Sequence, residues 1–386
     1  MKKQLHVGLV LLNLPLDKSC GSCRHVGDLA TALVKKGIRV TVFASRSKDQ
    51  KHVSTLKGRR IHIREIDFPN LGSWKNFVDP KNSRFVNKGI FDCINSIILE
   101  NRRNPINVLN VQHIVGSSIV GVVIKHFLGI PFITTCHGSD IYELSDIKYK
   151  KMFSLVNEGD GLLCVSNDVY KSILSINKNI RNVKKSVVVT LGVNKDVFCY
   201  SNRQRKRQVI FAGRLMKEKG VEEAIKVFLK ATNIGKLSNY KLVIAGDGVL
   251  KTILKKKYYS YIKNKKITFL DTLSQKELAR TMGESKVLLF TSTWNEPFGM
   301  VLTEAIATGT PVLANDVGRV KEIVSKNSGI VISRNDWTSF AIELRALLLD
   351  YVKWNYLSRG AKVTSEHYNW DRMAKGIIKV YESTIN

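Results

Sequence analysis

No apolar stretch in this chain approaches the roughly 20 residues needed to cross a bilayer as a helix. Acidic residues are scarce: 32 Asp and Glu stand against 62 Lys and Arg, a formal net charge of +30. Cysteine is sparse too. Six in 386 residues do not make a disulfide framework, and an intracellular setting would keep them reduced. A zinc site needs a second ligand pair beside Cys20-Gly21-Ser22-Cys23, and none stands at suitable spacing. That C-x-x-C spacing is also the thioredoxin one, but a redox domain would be much shorter. The reading that remains is two thiols flanking a glycine where the backbone approaches a functional cleft. Zinc-finger spacing, aromatic ribonucleoprotein motifs and a basic zipper are all lacking, so nothing supports a nucleic-acid partner for the charge.

The excess of cations calls for a polyanionic neighbour, either a membrane surface or a phosphorylated substrate; a lysine-rich compositional bias is the alternative. Lys2 and Lys3 before the apolar Leu5–Leu12 run imitate a short secretory signal. Asn13 and Asp17 interrupt it, and no small-residue cleavage site follows, so the run reads as a buried first strand. The expected location is cytoplasmic, with peripheral attachment to the inner face of a membrane.

A length of 386 residues exceeds one ordinary core and implies two domains. Short Val/Ile/Leu runs alternate with helical segments, which indicates parallel sheets covered by helices on both faces. In the first half, strands are expected at Leu5–Leu12, Arg39–Ala44, Val108–Val111, Phe132–Thr135 and Leu162–Val165, with helices at Arg24–Lys36 and Val86–Asn101. Residues 48–84 read as loops and short extended pieces. Cys199–Gln208 has the composition of a linker. Beyond it, strand-to-helix units recur at Val209–Ala212, Leu242–Ala245, Val287–Thr291 and Val312–Ala314, and a last helix spans Trp370–Thr384. The expected domains are residues 1–200, residues 201–365 and a closing helix over 366–386.

Two loops carry chemistry. Glu296 precedes a helix expected from Met300 to Ala307, and Glu304 rides on it. Gly299 sits where the chain must turn, so free backbone N–H groups and the positive helix end face Glu296. Such a corner can hold a phosphate and grip sugar hydroxyls. Upstream, Gly213-Arg214-Leu215-Met216-Lys217-Glu218-Lys219-Gly220 links a strand to a helix. Arg214 offers a planar fork of donors and Lys219 a compact ammonium, which suits the two phosphoryl groups of a nucleotide diphosphate.

The G-R-x4-K-G loop followed by the E-P-F-G-x4-E helix resembles the retaining nucleotide-sugar glycosyltransferases of glycosyltransferase family 4. That resemblance implies the GT-B fold, two Rossmann-like doubly wound domains facing each other across a cleft, the first binding the acceptor and the second the nucleotide sugar, with the closing helix crossing back to the first. It runs from the first strand to the closing helix and is densest between Val209 and Val324. In the first half it rests on the Gly21 loop with His25 and Leu29, on His137-Gly138-Ser139-Asp140, and on Leu191-Gly192-Val193-Asn194. It implies that Arg214, Lys219 and Gly21 bind the donor phosphates. Glu296 would bind donor-sugar hydroxyls beside the N–H groups of Phe298, Gly299 and Met300. Glu304 would take the ribose hydroxyls, and His137 would contact the hexose from the opposite domain. His137 and Glu296 are the catalytic pair, with Glu296 positioning and stabilising the donor rather than forming a covalent bond, in a front-face return where the leaving phosphate takes the acceptor's proton.

No cofactor is expected beyond the nucleotide diphosphate sugar, uridine-linked by this reading. Glycosyltransferases of another fold use an Asp-x-Asp metal clamp, and this chain has none; Glu65-Ile66-Asp67 and Glu158-Gly159-Asp160 are only imitations of it. No metal is therefore expected. Enzymes resembling this one glycosylate lipids or lipid-linked glycans, so the expected acceptor is a hydroxyl of a lipid-linked or cell-envelope glycan. The chain departs from the family at Cys20, where a second glycine usually precedes Gly21, and at Phe269-Leu270-Asp271, where Phe-Leu-Gly is usual near the nucleotide base. The competing readings are a GT-B phosphorylase, a nucleotide-sugar epimerase, or a basic membrane-surface protein without turnover.

Overall fold

The apolar runs become parallel strands buried on both faces. The computed structural model describes residues 4–16, 21–47, 50–68, 71, 73–144, 150–176, 185–189, 191–200, 204–233, 235–296 and 298–385. These form two units, residues 1–191 with 370–386, and residues 192–369.

The first unit carries seven strands: β1 (His6–Pro15), β2 (Arg39–Ser45), β3 (His62–Ile66), β4 (Val108–Gln112), β5 (Phe132–Cys136), β6 (Gly161–Cys164) and β7 (Ser186–Val188). Their order is β3-β2-β1-β4-β5-β6-β7, every pair parallel. The second carries six: β8 (Gln208–Ala212), β9 (Lys241–Ala245), β10 (Ile267–Leu270), β11 (Val287–Phe290), β12 (Val312–Asn315) and β13 (Gly329–Ile332). Their order is β10-β9-β8-β11-β12-β13, again parallel throughout. In both sheets the order reverses beside the first strand, between β1 and β4 and between β8 and β11. Such a switch point opens a crevice at the carboxyl ends of the strands.

Local chemistry explains the helices around the second sheet. Val221–Thr232 buries Val221, Ala224, Ile225, Phe228 and Thr232, a face at helical spacing. Glu222 and Glu223 in its first turn and Lys230 in its last complement the helix dipole. The helix Gln275–Glu284 starts on a reciprocal Ser274–Glu277 capping box. Phe228, Phe340, Leu242 and Leu344 meet in the core with no exposed surface, each contributing about 1.5–3 kcal/mol relative to exposure.

Several boundaries differ from the expectation. The first helix is Gly21–Lys35, so Gly21 opens a helix rather than sitting in a loop; in a first turn the N–H groups lack intrahelical partners anyway, and glycine costs little there. Residues 48–84 are not all loop. They hold the helix Gln50–Lys57, strand β3 and the short helix Trp74–Phe77. His62-Ile63-Arg64-Glu65-Ile66 escapes notice because only Ile63 and Ile66 of this edge strand are buried.

The division between units falls after Leu191 and again after Asn369. Cys199–Gln208 is not a linker where it is described. Arg205 donates to the carbonyls of Met282 at 3.1 Å, Thr308 at 2.9 Å and Gly309 at 3.0 Å, and to Thr310 Oγ1 at 2.9 Å. A run of basic residues disguises a guanidinium that ties strand and helix ends together. The last helix, Trp370–Ile385, belongs to the first unit, where Asn110 Nδ2 donates to the hydroxyl of fully buried Tyr381 at 2.6 Å.

One thiol among the described residues also differs from expectation. Cys93, Cys136, Cys164 and Cys199 are free, but Cys23 is disulfide-bonded rather than reduced. Cys20 lies outside the described residues.

Candidate functional site

The second unit gathers its polar side chains at the β8/β11 switch point. The loop leaving β8 carries Arg214 and Lys219, and the loop leaving β11 carries Glu296. The Lys219 ammonium pairs directly with Glu296 Oε1, which also accepts from Ser292 Oγ at 3.2 Å. Both partners are mostly buried, with side chains 19% and 12% exposed. A charge pair held out of water needs further hydrogen bonds to persist, and Ser292 supplies one.

The two loops are clamped along their backbones. The Glu218 carbonyl accepts from Thr293 N at 2.9 Å. Thr291 Oγ1 donates to the Gly220 carbonyl at 2.7 Å. Gly220 has φ +68, and a Cβ there would stand 1.8 Å from the Thr291 carbonyl oxygen, so this approach requires glycine. The loop after β12 closes the other side: a Cβ on Gly318, at φ +52, would meet Glu296 backbone atoms at 2.5 and 2.8 Å. Asn315 adds a strut, donating to the Ser292 carbonyl at 2.8 Å.

Arg214 is exposed on the same loop as Lys219 and makes no ion pair among the described residues. Gly299, at φ 77, caps the helix Met300–Ala307 with no side-chain hydrogen bond to the first turn, which leaves that end's N–H groups for another acceptor. Phe298 is buried, with the Arg319 guanidinium 5.7 Å from its ring centre and Tyr368 edge-on to it. Met300 opens the helix, and Glu304 is buried on it at 2% exposure. Cations, a carboxylate and a helix N-terminus thus converge where a ligand offering both negative charge and hydroxyl groups fits.

Gly21 and His137 belong to the other unit. His137 follows β5 and is 8% exposed; Gly138, at φ 96, then starts a short helix. The His137 ring lies 4.8 Å from that of His25, one turn beyond Gly21, and 4.7 Å from that of His113. Gln112 Nε2 donates to Asn110 Oδ1 at 2.7 Å, leaving Gln112 Oε1 to accept from His137 Nε2 at 2.9 Å. In this arrangement Nδ1 is the unprotonated nitrogen. Burial, and then the neighbouring His113, hold the His137 pKa well below the usual imidazole value and bring His25 down to about 3. Both rings are neutral near pH 7.

Burial pushes the Asp140 carboxyl up, but the facing His113 ring, with Nδ1 3.5 Å from Oδ1, and hydrogen bonds from the amides of Ile114 and Val115 outweigh it, and the pKa is lowered. Asp140 accepts from Ile114 N at 2.6 Å and so holds the turn after β4 beside His137. Its place is structural within the His-Gly-Ser-Asp run. The roles of Gln112, His113 and Asn110 were not read from the sequence, because Val111-Gln112-His113 at a strand end has no motif that separates it from any polar strand end. Ser292 and Gly318 were missed for the same reason.

Two doubly wound parallel sheets in one chain, each with its switch point beside its first strand, define the GT-B class of architecture. Solved structures agree over the whole length. Sucrose-phosphate synthase from Thermosynechococcus elongatus is similar at a TM-score of 0.78 and 16% identity, covering 98% of this chain and 99% of that one. Anabaena HepE in complex with UDP and glucose is similar at 0.75 and 15%, covering 97% and 99%. Residues 20–197 match the family model of Glycosyltransferase Family 4, and residues 194–364 match that of Glycosyl transferases group 1. An uncharacterized glycosyltransferase of Methanocaldococcus jannaschii is 25% identical, covering 98% of both chains. The N-acetyl-alpha-D-glucosaminyl L-malate synthase of Bacillus anthracis is 26% identical over 64% of this chain and 67% of its own. The protein is a glycosyltransferase of the GT-B type.

Proposed function

We propose that this glycosyltransferase is a retaining, metal-independent enzyme that moves a hexosyl or N-acetylhexosaminyl group from a UDP-sugar to a hydroxyl of a lipid-linked or cell-envelope glycan, working at the cytoplasmic face of an anionic membrane. The observation that carries the reading is the Lys219–Glu296 pair at the β8/β11 switch point, with Arg214 exposed beside it. Support for the donor comes from Anabaena HepE, whose structures contain UDP, UDP with glucose, or UDP-glucose.

Breaking the bond from the anomeric carbon to the diphosphate builds negative charge on the leaving oxygen and positive charge on the ring. Arg214, Lys219 and the Met300 helix end take up the first. Glu296 faces the second and holds the sugar hydroxyls with the N–H groups of Phe298, Gly299 and Met300. Glu304 takes the ribose, and neutral His137 receives a hydroxyl hydrogen bond. The acceptor oxygen enters on the face the phosphate leaves, and its proton passes to the departing phosphate oxygen, so no carboxylate nucleophile is needed.

A thermal-shift panel of nucleotide diphosphate sugars tests the donor. The cognate compound at a hundred times its dissociation constant stabilises by roughly 2.7 kcal/mol. A response to a non-uridine donor alone corrects the base, and no response to any member overturns the reading. Transfer is also expected to survive EDTA, because cationic side chains and a helix end stand in for a metal clamp. Activity lost in EDTA and restored by magnesium or manganese would mean that the leaving group is neutralised otherwise.

A further inference from the structure

One acid-free segment gathers cations in the second unit. From residue 248 to residue 270 there is no Asp or Glu, and seven lysines fall between 251 and 266. The segment links β9 to the edge strand β10 through two short helices, Lys251–Lys257 and Tyr259–Lys263. Leu254 and Tyr258 turn inward, at 1% and 8% exposure, and belong to the core.

The outward side is unusual for a soluble surface. Val249 is 77% exposed, Ile253 60% and Tyr259 64%. Ile253 and Lys256, three apart on the first of these helices, share one face, and Val249 stands in the turn just before it. Some of the lysines are already engaged: Lys251 with Asp247 and Asp271, Lys257 with Glu222 at 2.6 Å, and Lys266 with the Ser238 carbonyl at 2.8 Å. Lys256 and Lys263 are exposed and make no ion pair among the described residues, and Lys255, also exposed, lies 6.0 Å from the centre of the Phe269 ring and adds to the field that lowers the Asp271 pKa.

Exposed aliphatic and aromatic side chains interleaved with exposed ammonium groups match a surface that offers phosphate on the outside and hydrocarbon just beneath. A nucleic acid would use the ammonium groups but has no use for Val249 and Ile253. We propose that the face made by Val249, Ile253 and Tyr259 with Lys255, Lys256 and Lys263 docks on an anionic lipid surface. This adds a place of contact to the membrane partner proposed above, and it stands on none of Arg214, Lys219, Glu296, Glu304 or His137, so it can fail without the donor reading failing.

Sedimentation of the full chain with vesicles of phosphatidylcholine alone, or of phosphatidylcholine and phosphatidylglycerol in equal parts, decides it. The protein is expected to bind the anionic vesicles at low salt and to ignore the neutral ones. Lys255→Glu/Lys256→Glu/Lys263→Glu should weaken that binding about a hundredfold. Lys171→Glu/Lys326→Glu/Lys379→Glu, an equal charge change at exposed sites elsewhere, should keep most of it. Val249→Ser/Ile253→Ser should weaken it about tenfold and make the remainder more salt-sensitive. Circular dichroism melting identifies a misfolded variant, in which case the serine pair alone decides. Equal losses in the two charge-reversed variants, no vesicle binding by the wild type, or capture of a single-stranded oligonucleotide by this face in place of vesicles would each overturn the proposal.

Discussion

Glu296→Gln is expected to keep the fold and the donor but to lose turnover by about 10²- to 10³-fold, the usual cost of removing one preorganised electrostatic group from a reacting centre. The amide keeps the shape and can still accept from Ser292 Oγ, which donates to Glu296 at 3.2 Å. What disappears is the negative charge that faces the sugar as its ring becomes cationic. Lys219, now paired with Glu296, is released toward the phosphates, so donor affinity should hold or tighten while kcat falls. Nucleotide diphosphate release at saturating cognate donor gives the rate, and calorimetry gives the affinity. Wild-type turnover in this variant would return Glu296 to the role of a carboxylate beside a helix.

Arg214→Ala and Lys219→Ala should each weaken nucleotide diphosphate binding about tenfold to a hundredfold, since hydrogen bonds between charged groups are worth about 1.5–3 kcal/mol. The two should not behave alike. Arg214 is exposed with no ion-pair partner among the described residues, so its removal subtracts only its own contacts with the ligand. Removing Lys219 also leaves Glu296 facing the incoming phosphates without its counter-charge. Lys219→Ala/Glu296→Gln should therefore bind better than Lys219→Ala alone, with a coupling on the order of 0.5–3 kcal/mol. Titration calorimetry with UDP measures the wild type, the three single variants and the double variant. Unchanged affinity in both single variants, with melting intact, would falsify the phosphate clamp.

The second unit was the more legible half. Val209–Ala212, Leu242–Ala245, Val287–Thr291 and Val312–Ala314 are buried on both faces, so the apolar run itself marks the strand. Arg214, Lys219 and Glu296 were visible as residue types beside glycine turns. Their direct pairing was not, because Lys219 and Glu296 are 77 positions apart and meet only through the strand order. In the first unit, β3 and β7 are edge strands with polar or half-exposed sequences, and alternation over three to five residues is too short a signal. Arg205 shows the converse error. A basic cluster reads as a solvated linker until the carbonyls it serves, far along the chain, come into place. The neighbours of His137 are likewise long-range: His25 lies on the first helix and His113 follows β4.

The helix Trp370–Ile385, with Tyr381 bonded to Asn110 on β4, gives the two units different histories on the ribosome. Residues 192–369 are contiguous, so that unit has every element of its sheet as soon as its own segment has emerged. The first unit begins to emerge earlier but must wait through the whole of the other for the helix that covers Asn110. Until then the surface that will receive Met373, Ile377 and Tyr381 stays open to water, and to chaperones or aggregation. The half of the chain made first is the half completed last.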